Sequence, residues 1–230
     1  MIFNNSLALQ AKSFVRGHEN IHLSKFMKIL SLCVSAHKEM MISSHITNDL
    51  DEETLSNKLC KAMEDKKGKY GLGLYVFSRE SAETDDNTDK TIGYSDIRAT
   101  IPNPSKYSCG SVYFIMECKL LDSYSDKNKK YINDGINRFI IGKYSPNMNI
   151  GGMIGFIKPC NKKRTFPNGK IHYIINDINK KLFNEFKRPK NEEIHNSNSI
   201  QCPELFVSHH KRDKNLGNIS LYHLMLDVAV

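Results

Sequence analysis

Apolar residues along the chain switch between two periods. Ile21, Leu23, Phe26, Met27, Leu30, Val34 and Met41 recur at helical spacing and predict an amphipathic helix over Ile21–Ile42. Residues 1–19 carry only Phe3, Leu7, Leu9, Phe14 and Val15 and read as a short arm or helix. After a turn at 43–48, the run DLDEETLSNKLCKAMEDKK sets Leu55, Leu59, Ala62 and Met63 on one face. Its acids fall in the first turn, where the helix dipole favours them. The period then shortens. GLGLYVFS at 71–78, IGYSDIRATI at 92–101 and SVYFIMECKLL at 111–121 read as strands. A polar loop at 81–90 and a proline- and glycine-bearing connection at 101–110 separate them. A helix over 127–141, capped by Ser125 or Asp126, turns Ile132, Ile136, Phe139 and Ile140 to the core and stops at Gly142. An apolar strand follows at 153–157, then a PNGK turn and an amphipathic helix over 171–186. Residues 187–201 read as a polar loop, and 219–230 as a last strand or helix. The succession is that of an α/β chain.

The most apolar run, 111–121, holds two opposite charges near its end. Val112, Phe114, Ile115 and Met116 mark it as buried, yet Glu117 and Lys119 follow. Side chains alternate across a strand, so these two emerge on one face and Cys118 on the other. Asp96, at the middle of the preceding strand, lies 21 residues upstream of Glu117. The downstream ends of parallel strands are where open α/β sheets place their sites.

Asp96 followed by the Glu117-x-Lys119 strand resembles the PD-(D/E)xK nuclease superfamily, with Ser95 standing where the motif's name has proline. The resemblance implies a restriction-endonuclease-like core, a mixed central β-sheet flanked by α-helices, in which two strands bring Asp96 and Glu117 to one Mg²⁺, or Mn²⁺, and Lys119 stands beside the attacking water. A hard cation held by carboxylate oxygens suits phosphodiester hydrolysis. In that superfamily the helix before the first core strand often adds a glutamate. Glu53 is the candidate, with Glu52 behind it; complementing the helix dipole is the plainer role for both. The stretch YINDGINRFIIGKYS…GGMIGFI is similar to the downstream part of a prokaryotic branch found among restriction- and phage-defence-type nucleases. By that similarity Arg138, Lys143 and Tyr144 contact phosphate. The resemblance further implies DNA as partner and leaves room for a homo-oligomer, for an ATPase or helicase of a defence system, and for a nuclease-fold subunit that binds without cutting.

At 230 residues and 40% hydrophobic content the chain fits one domain, with helices at 20–66, a catalytic core at 71–157 and a basic part at 158–230. The formal net charge of +8 favours a polyanionic partner. From Lys158 to Lys190 ten Lys and Arg stand against Asp177 and Glu185, so this segment carries a charge equal to the total. Lys162, Lys163 and Arg164 within it are candidate nucleic-acid contacts. Glu80 to Asp96 holds six acids against Lys90, an opposite pole.

Six scattered cysteines without a C-x-x-C pair read as reduced thiols of an intracellular protein. With no secretion-signal pattern in MIFNNSLALQAKS and no long uncharged apolar run, the expectation is a soluble, cytoplasmic chain. No phosphate-binding G-x-x-x-x-G-K-[ST] loop occurs, which argues against NTP hydrolysis. His209-His210 lacks the rest of a histidine-metal nuclease site. Cys160, His172, Cys202 and His209 lack zinc-module spacing. His223, among apolar residues, reads as a core or rim histidine.

Overall fold

The computed structural model describes residues 4–43, 46–47, 49–84, 91–101, 113–122, 125–146, 148–159, 166, 169–197, 202–213 and 216–228. Two helices come first, α1 (Asn4–Ser43) and α2 (Glu52–Lys66), so the predicted helix over 21–42 is the second half of a longer one. Three strands follow, β1 (Val76–Thr84), β2 (Thr91–Thr100) and β3 (Tyr113–Leu121). Next comes a helix in three parts: α3 (Ser125–Tyr131), a π segment (Ile132–Ile136) and α4 (Asn137–Ile140). The chain ends with β4 (Ile150–Ile157), α5 (Lys170–Asn184), β5 (His195–Asn196), β6 (Leu205–Lys211) and β7 (Asn218–Asp227).

All seven strands form one mixed sheet in the order β1-β2-β3-β4-β7-β6-β5. β3, β4 and β7 are parallel neighbours at its centre, and the remaining pairs are antiparallel. The centre is apolar on both faces, as parallel strands require. Phe114, Met116, Cys118, Ile154, Phe156 and Leu224 meet Phe26, Leu30 and Cys33 of α1 and Leu55, Leu59 and Met63 of α2. Ile115, Leu121, Met153, Ile157, Leu221 and Met225 meet the α3–α4 helix and Ile174, Ile178 and Leu182 of α5. The expected mixed sheet with helices on both faces is therefore present. In β4, Gly152 admits the ring of Phe26: an added Cβ there would lie 3.0 Å from its Cζ.

Several boundaries differ from the sequence reading. Residues 67–70 form a 3-10 turn closed by Gly71 in the left-handed conformation, φ 66°, so the first strand starts at Val76 instead of Gly71. That strand runs on to Thr84, through the start of the stretch taken as a loop. The connection at 102–110 falls outside the described residues. The segment 187–201 holds a 3-10 turn, Lys190–Glu192, and the short β5. The final apolar run is a strand. β6 has no counterpart in the sequence reading. Its Ser-His-His core breaks the apolar pattern: Ser208 and His210 are buried and bonded to each other, while His209 between them is exposed.

Candidate active site

β2 and β3 pair from Thr100–Tyr113 to Ile97–Met116, and there the ladder ends. On the vacated edge of β3 the N–H groups of Cys118 and Leu120 need acceptors, since an unpaired backbone donor is costly when buried. Side chains supply them. Asp96 Oδ2 accepts from Cys118 N at 2.8 Å, and Glu52 Oε2 from Leu120 N at 2.8 Å. Two carboxylates thus stand where a strand's carbonyls would otherwise be, aimed along β3 by its own backbone.

Glu52 is there because of a cap. Asp51, in extended conformation, accepts from Thr54 N at 2.8 Å and starts α2 so that Glu52 is its first residue. The helix glutamate of the site is therefore Glu52. The predicted Glu53 is exposed, one residue further round the helix, and it is its main-chain oxygen that is bonded, by Arg79.

Lys119 Nζ sits amid three carboxylates, 2.9 Å from Glu117 Oε1, 3.0 Å from Glu52 Oε1 and 3.5 Å from Asp96 Oδ2. It also donates to Cys118 O at 2.7 Å. Burial works against the ammonium, but Glu117, Asp96 and Glu52 outweigh it and hold its pKa above the ordinary lysine range. Asp96, Glu117 and Lys119, dispersed in the sequence, are thus brought together.

Glu117 is 1% exposed. Its Oε1 accepts from Arg138 at 3.1 Å as well as pairing with Lys119, while the buried Oε2 has no hydrogen-bond partner. Burial and the neighbouring Asp96 push its pKa up to about 7, against the pull of Lys119 and Arg138. Burial similarly pushes up the thiol of Cys118, on the other face, as expected of a packed cysteine and not a nucleophile.

Arg138 reaches this carboxylate because of the π segment. A seven-residue spacing on a regular helix would put Tyr131 and Arg138 on one side; the wider turn between them separates their directions. Tyr131 points into the core and Arg138 to Glu117. The segment also passes close over the site: a Cβ on Gly135 would collide with Met153 Cε and lie 3.9 Å from Lys119 Cγ. Arg138 NH1 donates to Tyr144 Oη at 2.6 Å, and that hydroxyl donates to Tyr94 O at 2.6 Å, tying helix, loop and β2 together. The stem of Lys143 lies across Gly93 of β2. Arg138, Lys143 and Tyr144 thus border the carboxylates or the strand that carries Asp96. Lys162, Lys163 and Arg164 lie outside the described residues.

Arg79 escaped the sequence reading. Its Nε donates to Asp96 O at 2.9 Å, and NH1 donates to Glu53 O at 2.9 Å and Asn57 Oδ1 at 2.6 Å. One fork pins the first turns of α2 to the backbone of Asp96. Nothing marks a lone arginine in a strand as such a tie, because its partners are mostly main-chain oxygens.

Among the described residues, no three His, Cys, Asp or Glu side chains form a ready metal-ligand group. A Mg²⁺ ion commonly takes only one or two carboxylates, with water and substrate oxygens completing its shell. The residues present fit such an ion by their chemistry: hard oxygen donors from Asp96, Glu117 and Glu52, and a buried carboxylate oxygen of Glu117 left without a partner. The chain matches no family model, no curated protein and no solved structure. No helix among the described residues is long and apolar enough to cross a membrane.

Proposed function

We propose that this protein is a metal-dependent nuclease of the PD-(D/E)xK type, hydrolysing DNA phosphodiester bonds with Mg²⁺ or Mn²⁺, in restriction or anti-phage defence. The observation that carries the reading is the convergence of Asp96, Glu117 and Glu52 on the Lys119 ammonium, with Glu117 Oε2 unpaired. The order α2, β1, β2, β3, helix, β4, with Glu-x-Lys on β3, supports a restriction-endonuclease-like core.

Asp96 and Glu117 would hold the cation, and Glu52 would support it through a water or directly. Bound there, the ion supplies Lewis acidity to a phosphoryl oxygen and to a water. Lys119 is kept protonated by its three carboxylates, so its part is that of a fixed positive donor that orients the attacking water and offsets charge growing on the phosphate. Arg138, shared between Glu117 and Tyr144, offers a second cation to the phosphate. Cytoplasmic DNA is the proposed substrate, with an ATPase or helicase as a candidate partner.

A second reading is favoured by the same ammonium. Lys119 already neutralises the carboxylates around it, and a self-satisfied ion cluster suits a nuclease-fold subunit that binds nucleic acid without cutting. Incubation with supercoiled plasmid, with Mg²⁺ or EDTA, separates the two. The nuclease reading expects metal-dependent nicking that Lys119→Ala removes while DNA binding persists. Binding without cleavage under Mg²⁺, Mn²⁺, Ca²⁺ or Co²⁺ supports the subunit.

A further inference from the structure

Away from the carboxylates, five side chains form one continuous buried chain of hydrogen bonds. Tyr131 Oη meets His223 Nδ1 at 2.9 Å, and His223 Nε2 meets Ser208 Oγ at 2.7 Å. Ser208 Oγ meets His210 Nε2 at 2.7 Å, and His210 Nδ1 meets Glu192 Oε2 at 2.9 Å. The chain crosses from α3 through β7 and β6 to the 3-10 turn at 190–192. Tyr131, Ser208 and His223 are wholly buried, and His210 and Glu192 nearly so.

Every proton in this chain can be assigned. Burial disfavours the Glu192 carboxylate, but His210, Arg188 Nε at 2.6 Å and Lys211 N at 3.2 Å outweigh it and draw its pKa down to about 2. A carboxylate only accepts, so His210 Nδ1 carries hydrogen and its Nε2 accepts from Ser208. The single Ser208 proton is then used, and Ser208 Oγ accepts from His223 Nε2–H. His223 Nδ1 is left to accept from Tyr131. The Ser208–His210–Glu192 part has the connectivity of a hydrolytic triad. Ser208, however, is sealed from solvent, and His223 stands on its other side, so it cannot act as a nucleophile.

The assignment closes only with both imidazoles neutral. A proton on His210 or on His223 forces a donor toward Tyr131, whose own hydrogen then loses its acceptor in a fully buried site. Other titratable groups lie near the chain. β5 and β6 contribute His195 and His209, with ring centroids 5.8 Å apart, on the opposite face of the sheet, and α5 sets His172 against Phe206, the ladder partner of His223. β4 contributes Met153, the other ladder partner of His223. Around His223 itself the direct partners are two hydroxyls, neither able to balance a charge.

We infer that the Tyr131–His223–Ser208–His210–Glu192 chain is an acid-sensitive lock that holds α3 against β6 and β7 while His223 is neutral and opens when His223 takes a proton. Tyr131 stands directly before the π segment that turns Arg138 onto Glu117, so the lock grips the helix at the point where its phase is set. The sign follows from proton binding. Burial, reinforced by the neighbouring imidazoles, holds the His223 pKa well below the ordinary histidine value, so the folded state binds fewer protons than the unfolded. Stability from this group is complete above about pH 6.5 and is lost as pH falls below it.

The test uses ¹⁵N-histidine NMR on the whole protein and thermal melts from about pH 7.5 to about pH 5. NMR is expected to find Nε2–H His223 and Nδ1–H His210 at the upper pH, and the His223 signals to change where the melting point starts to fall. His223→Gln keeps a donor toward Ser208 but does not titrate. Over that range the wild type should lose at least ~4 °C more than this variant. Opposite tautomers, or a His223 that titrates near its ordinary value with no fall in melting point, would overturn the lock. So would equal pH slopes in a folded variant. The NMR result decides alone if the variant does not fold, and neither readout depends on nuclease activity.

Discussion

Glu117 is the residue on which the site's electrostatics turn. It is buried beside Asp96, and the two cations that reach it share one oxygen, Oε1. Its folded pKa of about 7 lies above the ordinary 4.5. A raised carboxyl pKa means that the folded state binds more protons than the unfolded. The contribution of Glu117 to stability is therefore full below about pH 4.5 and lost as pH rises through about 7. Glu117→Gln should remove this dependence, and at pH 8 the relief from burying a charge, net of the pairing with Lys119 and Arg138, amounts to roughly 3 kcal/mol at most. Melts of wild type and variant from about pH 5 to about pH 8 check it: the wild type should fall relative to the variant as pH rises. This runs opposite to the histidine lock, so each is read as a difference from its own variant. Parallel curves would mean that Glu117 is charged without cost. In the same variant the affinity for Mn²⁺, followed by calorimetry, should drop about tenfold or more, since a neutral amide replaces a charged ligand.

At the scale of elements, the two glutamates that open α2 give the sharpest contrast. Glu52 contacts Leu120 N and Lys119; Glu53 is exposed one residue on. Glu52→Gln should weaken Mn²⁺ binding or cleavage about tenfold to a hundredfold, with Glu53→Gln within about twofold, the size expected of a supporting shell and of a surface site. Equal effects would remove Glu52 from the site. The sequence put both glutamates in the first turn but could not choose between them, because the choice depends on the phase that Asp51 sets as cap. β3 was legible because its buried apolar run admits no other period, and its alternation correctly put Glu117 and Lys119 on one face. The resemblance added Asp96, whose carboxylate lies 3.5 Å from the Lys119 ammonium. The π segment was not legible: five residues of INDGI carry no mark of a widened turn, and a regular helix would have put Tyr131 and Arg138, seven apart, on one side. Nor was β6, whose Ser208 and His210 look like surface residues until their partners on β7 and the 3-10 turn are in place.

Across the whole molecule, charge is separated in a way that a polyanion would use. Three carboxylates crowd the site against Lys119 and Arg138, while the basic tract that follows β4 lies largely on other elements. Part of that tract is spent internally: Lys170 pairs with Asp227, Lys181 with Asp177, and Arg188 with Glu192. Lys180, Lys187 and Lys190 are exposed and take part in none of the ion pairs seen among the described residues, and Lys180 and Lys190 line one cavity beside the exposed Phe183. If this surface follows a nucleic-acid backbone, DNA affinity must fall steeply with salt, because each neutralised phosphate releases a counterion. Replacing Lys180, Lys187 and Lys190 with serine should then reduce the magnitude of the slope of log K against log salt by roughly 2 to 3. Glu117→Gln, which changes charge at the site and not on α5, should leave that slope within about one unit. Fluorescence anisotropy with a labelled duplex over a salt series measures both. An affinity that is weak and indifferent to salt would instead point to a small-molecule enzyme built around the same carboxylates, since such a substrate has no phosphate chain for the exposed lysines to meet.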